Sequence, residues 1–308
     1  MNRPFRAAAA LFVVATLSLA ACGDDDGGTS SGAKEGPTIS IGEQDFGESA
    51  ILSEIYKQAL EDAGYEVSIQ KLGGFRDLEV AAFDGGTINF AAEYAASMLE
   101  FLNEQKGEAT SDADETTDKL QTYLDDKDLQ ALDPTDAIDT NSFVMTKDKS
   151  DELGITTLSD LAEKDGDLTL GGPSDCETNA FCIPGLKRVY DIDLTGNFQS
   201  LEAGAVADAL DAGSIDIGLI FSTDGRITSK GWVLLEDDKQ MLAADNVVPV
   251  VTNELVDKYG DDFTNLVNDI GSKLTTADLT ELNKRFDVDK EDASAIATSW
   301  LEDNGFLK

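Results

Sequence analysis

The sequence predicts an α/β protein, and three observations carry that expectation. Segments such as Ile215 to Phe221 and Val247 to Val251 are short, apolar runs of strand length. Between such runs lie stretches with helical periodicity: Ile51, Leu52, Ile55, Tyr56, Ala59, Leu60 and Ala63 fall on one face of a helix spanning Ser49 to Ala63. The chain has 308 residues, 41% of them hydrophobic, which suits two ordinary domains or one large bilobed one with ample core. Alternation of strand and helix implies mainly parallel sheets covered on both faces.

In chain order, Thr38 to Gly42 alternates apolar and polar residues as a short strand does, and the helix of Ser49 to Ala63 ends at Gly64. Tyr65 to Leu72 reads as a second strand, Arg76 to Phe83 as a helix, Ile88 to Tyr94 as a strand and Ser97 to Gln105 as a helix. Asp112 to Asp118 is an acidic stretch, read as a solvated helix face rather than an ion site, ahead of a helix over Lys119 to Lys127. Asn141 to Thr146, Leu168 to Gly171, Ile215 to Phe221 and Val247 to Val251 follow as strands, with helices at Leu158 to Glu163 and Ala203 to Ala212 between them. From Leu255 onward the pattern is nearly all helical, in three pieces: Asp262 to Leu274, Thr276 to Phe286 and Glu291 to Asn304. No internal repeat is visible.

The N-terminus indicates a compartment. Arg3 and Arg6 precede the apolar run Ala7 to Leu17, which is too short to span a bilayer, and small residues follow up to Cys22. Residues 1–21 therefore read as a signal peptide. Leu19-Ala20-Ala21-Cys22 looks like a bacterial lipobox, in which the cysteine is lipidated and becomes the mature N-terminus. An ordinary secretory peptide with an incidental Cys22 is the plainer alternative. Residues 22–36 are rich in Gly, Ser and Asp and nearly devoid of apolar side chains, as a flexible tether requires. The expected location is the extracytoplasmic face of the cell membrane, reached only through a lipid anchor.

With Cys22 so used, Cys176 and Cys182 remain, within a loop bounded by Gly171-Gly172-Pro173 and Pro184-Gly185. Outside the cytoplasm a disulfide across this small loop is expected. A metal pair is the competing reading, but a lone Cys pair without histidine is poor zinc chemistry.

Composition removes several classes of function. The chain carries 61 Asp+Glu against 23 Lys+Arg, a formal charge of −38, and no histidine. Such a surface repels phosphate backbones, and the basic residues form no stripe to offset it, so no nucleic-acid partner is expected. Histidine-based triads, general bases and metal sites are excluded. Asp191-Ile192-Asp193-Leu194-Thr195-Gly196, with Glu202 twelfth in the run, nearly fits a calcium loop. Thr195 breaks the pattern, and a surface turn leading into a strand is the better reading. Gly73-Gly74 and Gly171-Gly172-Pro173 lack the Lys-Ser/Thr that a phosphate loop needs, and no Gly-x-Ser-x-Gly elbow occurs. No metal, cofactor or catalytic residue is expected, and nothing specific supports an enzyme.

From Pro37 to Lys308 the sequence resembles the substrate-binding proteins of osmoprotectant ABC importers, the glycine betaine, choline and carnitine binders. The resemblance rests on Ile41-Gly42-Glu43-Gln44-Asp45-Phe46-Gly47-Glu48, Ala92-Glu93-Tyr94, Cys176-Glu177-Thr178-Asn179-Ala180-Phe181-Cys182 with Pro184-Gly185-Leu186, Ser222-Thr223-Asp224-Gly225-Arg226-Ile227, Leu234-Leu235-Glu236-Asp237-Asp238-Lys239 and Pro249-Val250-Val251, in that order. It implies a bilobed periplasmic-binding-protein-like fold of type II, with two α/β lobes joined by a two-crossover hinge. Lobe one would comprise residues 37–141 and 248–308, and lobe two residues 142–247. A small quaternary ammonium or zwitterionic solute would be captured in the interlobe cleft and delivered to ABC permease and ATPase subunits, by a protein acting as a monomer. The alternative is a non-transport lipoprotein of the same fold that senses a ligand or binds protein.

Carried over residue by residue, the resemblance implies ligand contacts at Gln44, Asp45, Phe46, Phe75, Arg76, Tyr94, Asn179, Ser222, Thr223 and Asp224. A quaternary ammonium has no N–H to donate, so aromatic faces hold it through cation–π attraction, each ring contributing roughly 0.5 to 2 kcal/mol. Relatives carry Thr-Gly where this chain has Ala95-Ala96, and an arginine where it has Asn179. An arginine there would suit a bidentate grip on a betaine carboxylate, which asparagine does not replace. Taken one at a time, Phe46, Phe75 and Phe181 suit a core as well as a cage, and Asp45 and Asp224 suit helix caps.

Overall fold

The first strands organise the chain. In the computed structural model, which describes residues 34–164, 168–201 and 203–307, β1 (Ile39–Glu43) feeds α1 (Gly47–Asp62), then β2 (Val67–Lys71), α2 (Arg76–Asp84), β3 (Phe90–Tyr94), α3 (Ala95–Leu102), α4 (Ala113–Leu124) and β4 (Leu129–Ala131). The expected signal peptide, Cys22, most of the expected tether and Glu202 lie outside the described residues. A second set follows: β5 (Asn141–Met145), α5 (Lys147–Leu153), α6 (Leu158–Ala162), β6 (Leu170–Gly172), a turn of helix α7 (Ile183–Gly185), β7 (Phe198–Ser200), α8 (Ala203–Asp211), β8 (Ile217–Phe221), α9 (Gly225–Lys230) and β9 (Val233–Leu234). Then β10 (Val247–Thr252) precedes α10 (Asn253–Tyr259), α11 (Asp261–Gly271), α12 (Thr276–Asp287) and α13 (Ala293–Asp303).

The strands form two five-stranded sheets, ordered β2-β1-β3-β10-β4 and β7-β6-β8-β5-β9. The chain leaves the first sheet after β4, enters the second at β5, and returns at β10. Each sheet is evenly mixed, which corrects the expectation of mainly parallel pairing. β1 runs parallel to β2 and β3, and β6 parallel to β7 and β8. β10 is antiparallel to β3 and β4, and β5 antiparallel to β8 and β9. The reversed strands are the two that follow a crossover. They enter their sheet from the hinge side rather than through a helical return, so the rule for βαβ units does not govern them.

Each sheet has cores on both faces. Tyr56, Phe90 and Phe263 meet beside β1 and β3, with α1, α11 and α13 packed over them. On the opposite face α3 and α4 bury Met98, Leu99, Leu120 and Leu124. In the second lobe Phe143, Leu170 and the Cys176–Cys182 disulfide share one core, and Val206 and Trp232 belong to the other. Helix starts are explicit: Asp112 caps α4, so the acidic stretch is the first turns of a helix, and Thr275 with Asp278 forms a capping box on α12. Strands β4, β7 and β9 and helices α5 and α9 are too short to declare themselves by periodicity. The near-calcium run is a turn entering β7: Asp193 is bound by Lys187 and by the Thr195 N–H.

The crossovers are stitched to each other. Asp139 N–H donates to the Asp245 carbonyl (3.1 Å), Val247 N–H to the Ala137 carbonyl (2.9 Å), and Asn246 Nδ2 to the Thr135 carbonyl (2.7 Å). Their midpoint lies under the loop that follows β8, because Ser222 N–H donates to the Thr140 carbonyl and Thr140 N–H returns to Ser222 Oγ.

Candidate functional site

A cleft of about 520 Å³ opens beside this hinge. From the first lobe it is lined by Phe46 and Glu48 at the start of α1, Phe75 and Arg76 at the start of α2, and Asn283 and Asp287 of α12. From the hinge and second lobe come Asp139, Asn141, Pro173, Phe221, Thr223, Asp224 and Arg226.

Of the sequence-predicted residues, Phe46, Phe75, Arg76, Thr223 and Asp224 line this cleft, and Gln44, Asp45, Tyr94, Asn179 and Ser222 are not among its lining residues. Phe46 precedes α1 and Phe75 precedes α2, so both rings stand at helix starts. Their planes are nearly parallel, with centroids 6.5 Å apart. Tyr94 stands behind them, its ring 6.3 Å from Phe46 and its hydroxyl donating to Glu48 at 2.5 Å. Ser222 braces the hinge. Asn179 accepts from the Phe181 N–H inside the disulfide loop, and Ala95 and Ala96 are buried at the start of α3. Asp45 is exposed and Asp224 caps α9.

Arg76 is committed to a neighbour. Its Nε and Nη2 grip the Glu93 carboxylate at 2.8–3.0 Å, and Glu93 has 0% exposure. Gln44 Nε2 bridges Glu93 and Glu79. Burial pushes Glu79 far above the ordinary carboxylate range, reinforced by Glu93 beside it. Burial also opposes the Glu93 charge, but the Arg76 guanidinium overcomes that and holds Glu93 low. Across the cleft Arg226 grips Asp224 in the same way, at 2.5–3.1 Å.

The residues that sequence reasoning missed are the uncompensated acids. Glu48, 5% exposed, lies under Tyr94 and accepts from Thr223 Oγ1 at 2.8 Å and from Asn283 Nδ2. Burial pushes its carboxyl up, and those donors pull it part of the way back. Asp139 accepts from the Thr223 N–H at 3.2 Å, and burial with Glu48 nearby raises it strongly. Asp287 is raised by burial and then by Asp224. One signal for Glu48 was present: it occupies the apolar face of α1, at helical spacing from Ile51, Leu52 and Ile55. With 61 acids in the chain, nothing local singled out Asp139, Asp287 or the distant Asn283.

Two mixed α/β lobes joined by paired crossovers beside an aromatic and acidic cleft define the class of periplasmic-binding-protein-like solute receptors. Comparison with known proteins narrows the class. The chain belongs to the family described as the substrate binding domain of the ABC-type glycine betaine transport system, whose profile matches residues 37–303. It is 27% identical to the glycine-betaine-binding protein of Pseudomonas aeruginosa, covering 90% of this chain and 91% of that one. It is 26% identical to the carnitine transport binding protein OpuCC of Listeria monocytogenes, over 97% and 96% of the two chains. A crystal structure described as a glycine betaine/carnitine/choline ABC transporter shares the fold, with TM-score 0.75, 24% identity and coverage of 88% of this chain and 99% of that one.

Proposed function

We propose that this protein is the non-enzymatic, extracytoplasmic solute receptor of an ABC importer, tethered by lipid at Cys22. It captures a quaternary ammonium solute between its lobes and delivers it to the permease. Lobe one is assigned to residues 37–141 and 248–308, lobe two to 142–247. The observation that carries the reading is the cleft, where the Phe46 and Phe75 rings and the exposed Phe221 ring face a ligand space from the two lobes, beside buried carboxylates. A quaternary ammonium offers apolar methyls and a diffuse positive charge, and this combination of rings and acids meets both. The paired crossovers between sheets favour hinge closure over sliding, as a capture mechanism requires. Gln44, Tyr94 and Ser222 support the site from behind, while Phe46, Phe75, Thr223 and Asp224 contact the solute.

The test is thermal unfolding of the purified protein against betaines, choline, carnitine and common amino acids. A true ligand at one hundred times its dissociation constant adds roughly 2.7 kcal/mol and raises Tm by several degrees. A panel that leaves Tm unmoved for every quaternary ammonium compound removes this reading and returns the protein to a sensing or protein-binding role.

A further inference from the structure

Taking the capture of a quaternary ammonium solute as given, the charge balance of the cleft narrows its chemistry. Both arginines that line it are held in bidentate pairs, Arg76 by Glu93 and Arg226 by Asp224. Glu48, Asp139 and Asp287 also line it, and among the described residues none of the three has a Lys or Arg within ion-pair distance. A second observation is independent of the acids. Asn283, 5% exposed and lining the same cleft, spends its Nδ2 on Glu48 and Thr223, and its buried Oδ1 has no donor. The cleft therefore presents carboxyls without a cationic partner, a buried acceptor lacking its hydrogen bond, and aromatic faces.

We infer that the cleft selects an organic cation that carries no carboxylate and offers a hydroxyl or N–H donor, rather than a zwitterionic betaine. A betaine carboxylate entering here meets acids, and reaching a guanidinium means displacing Glu93 or Asp224. Displacing Glu93 strands a fully buried carboxylate. A cation lacking that group meets no such opposition, and its charge favours the ionised form of Glu48 and Asp139, which have no other cationic partner. A hydroxyl on it supplies the donor that Asn283 Oδ1 lacks.

The probes are choline and glycine betaine, which share a trimethylammonium head and differ in hydroxyl against carboxylate. Their dissociation constants are measured on the purified full chain by calorimetry. Choline is expected to bind at least roughly tenfold more tightly, and Asp287→Asn, which removes one acid at the rim of the cleft, to narrow that ratio several-fold. Glu48→Gln is expected to narrow it further, with circular dichroism confirming the fold. Glycine betaine binding as tightly as choline, or tighter, overturns this inference and leaves the quaternary ammonium reading standing. Binding of neither overturns both. A choline preference unmoved by both variants also overturns the inference, because the acids would then not be its cause.

Discussion

Glu48 at the start of α1 and Thr223 after β8 are 175 positions apart in the chain, and the Thr223 hydroxyl donates to the Glu48 carboxylate at 2.8 Å. This bond joins the first-lobe helix to the second-lobe loop next to the crossovers, on the floor of the cleft. Tyr94 and Asn283 converge on the same carboxylate. A single buried acid thus ties together β3, α1, α12 and the loop that rides on the hinge.

Buried acids give the protein an unusual pH response. Asp245, buried in the second crossover, is pushed up to about 6 from an ordinary 3.8, by burial against the opposing Ser97 donors. Because it binds its proton more readily folded than unfolded, its contribution is complete below 3.8 and lost as pH rises through about 6. Glu48, Glu79, Asp139 and Asp287 are displaced in the same direction. Glu93 is displaced oppositely, so its contribution is lost as pH falls below the ordinary carboxylate value of 4.5. Tm is therefore expected to be several degrees higher near about pH 5 than near about pH 8. Calorimetric scans across that range check it, and a Tm that rises steadily toward alkaline pH contradicts the assignment of these acids.

Arg76 is expected to act through stability more than through ligand. Arg76→Ala leaves Glu93 buried and unpaired, which costs about 3 to 5 kcal/mol. Arg76→Lys recovers only part, since lysine does not reproduce the bidentate fork. Urea denaturation measures both, and an Arg76→Ala protein of native stability would mean that the Arg76–Glu93 pair contributes nothing.

Helix α9 of the second lobe lies directly on α12 of the first at Gly225. A Cβ there would stand 2.4 Å from the Lys284 Cα, so alanine forces backbone apart. Gly225→Ala should cost roughly 1 to 3 kcal/mol and weaken ligand affinity by splaying the cleft. Gly196, which is exposed and away from the cleft, has open space where its Cβ would go, and Gly196→Ala serves as the neutral control. Equal effects of the two substitutions on Tm and affinity would refute this contact as a determinant of the cleft.

The rings are separable from the fold. Phe75 is 61% exposed and Phe221 53% exposed, so truncating either removes little buried area. Phe75→Ala and Phe221→Ala are expected to leave Tm of the ligand-free protein nearly unchanged. Each should weaken binding of a quaternary ammonium ligand roughly two- to thirtyfold, the range a single cation–π face supplies. Titration calorimetry decides, and unchanged affinity in both variants would place the ligand away from these rings.

The longer elements were legible because their residues carry the period themselves. The face of α1, the apolar runs of β1, β8 and β10, and the helical C-terminal region all follow from local spacing and from the need to bury those faces. The Cys176–Cys182 disulfide followed from cysteine count and the expected compartment, and Phe46, Phe75, Arg76, Thr223 and Asp224 as cleft residues were readable through the family resemblance. Strand direction was not, because β5 and β10 enter their sheets through crossovers, and no local pattern records the side from which a strand arrives. Nor could sequence show that Arg76 belongs to Glu93 and Arg226 to Asp224. Electrostatic compensation depends on distances of a few ångströms, and Asn283 reaches Glu48 across 235 positions. The sequence by itself determined the α/β class, the acidity and the aromatic candidates. Tertiary structure alone decided which charges are cancelled and which are left facing the cleft, because the cost of a buried charge depends on what lies against it.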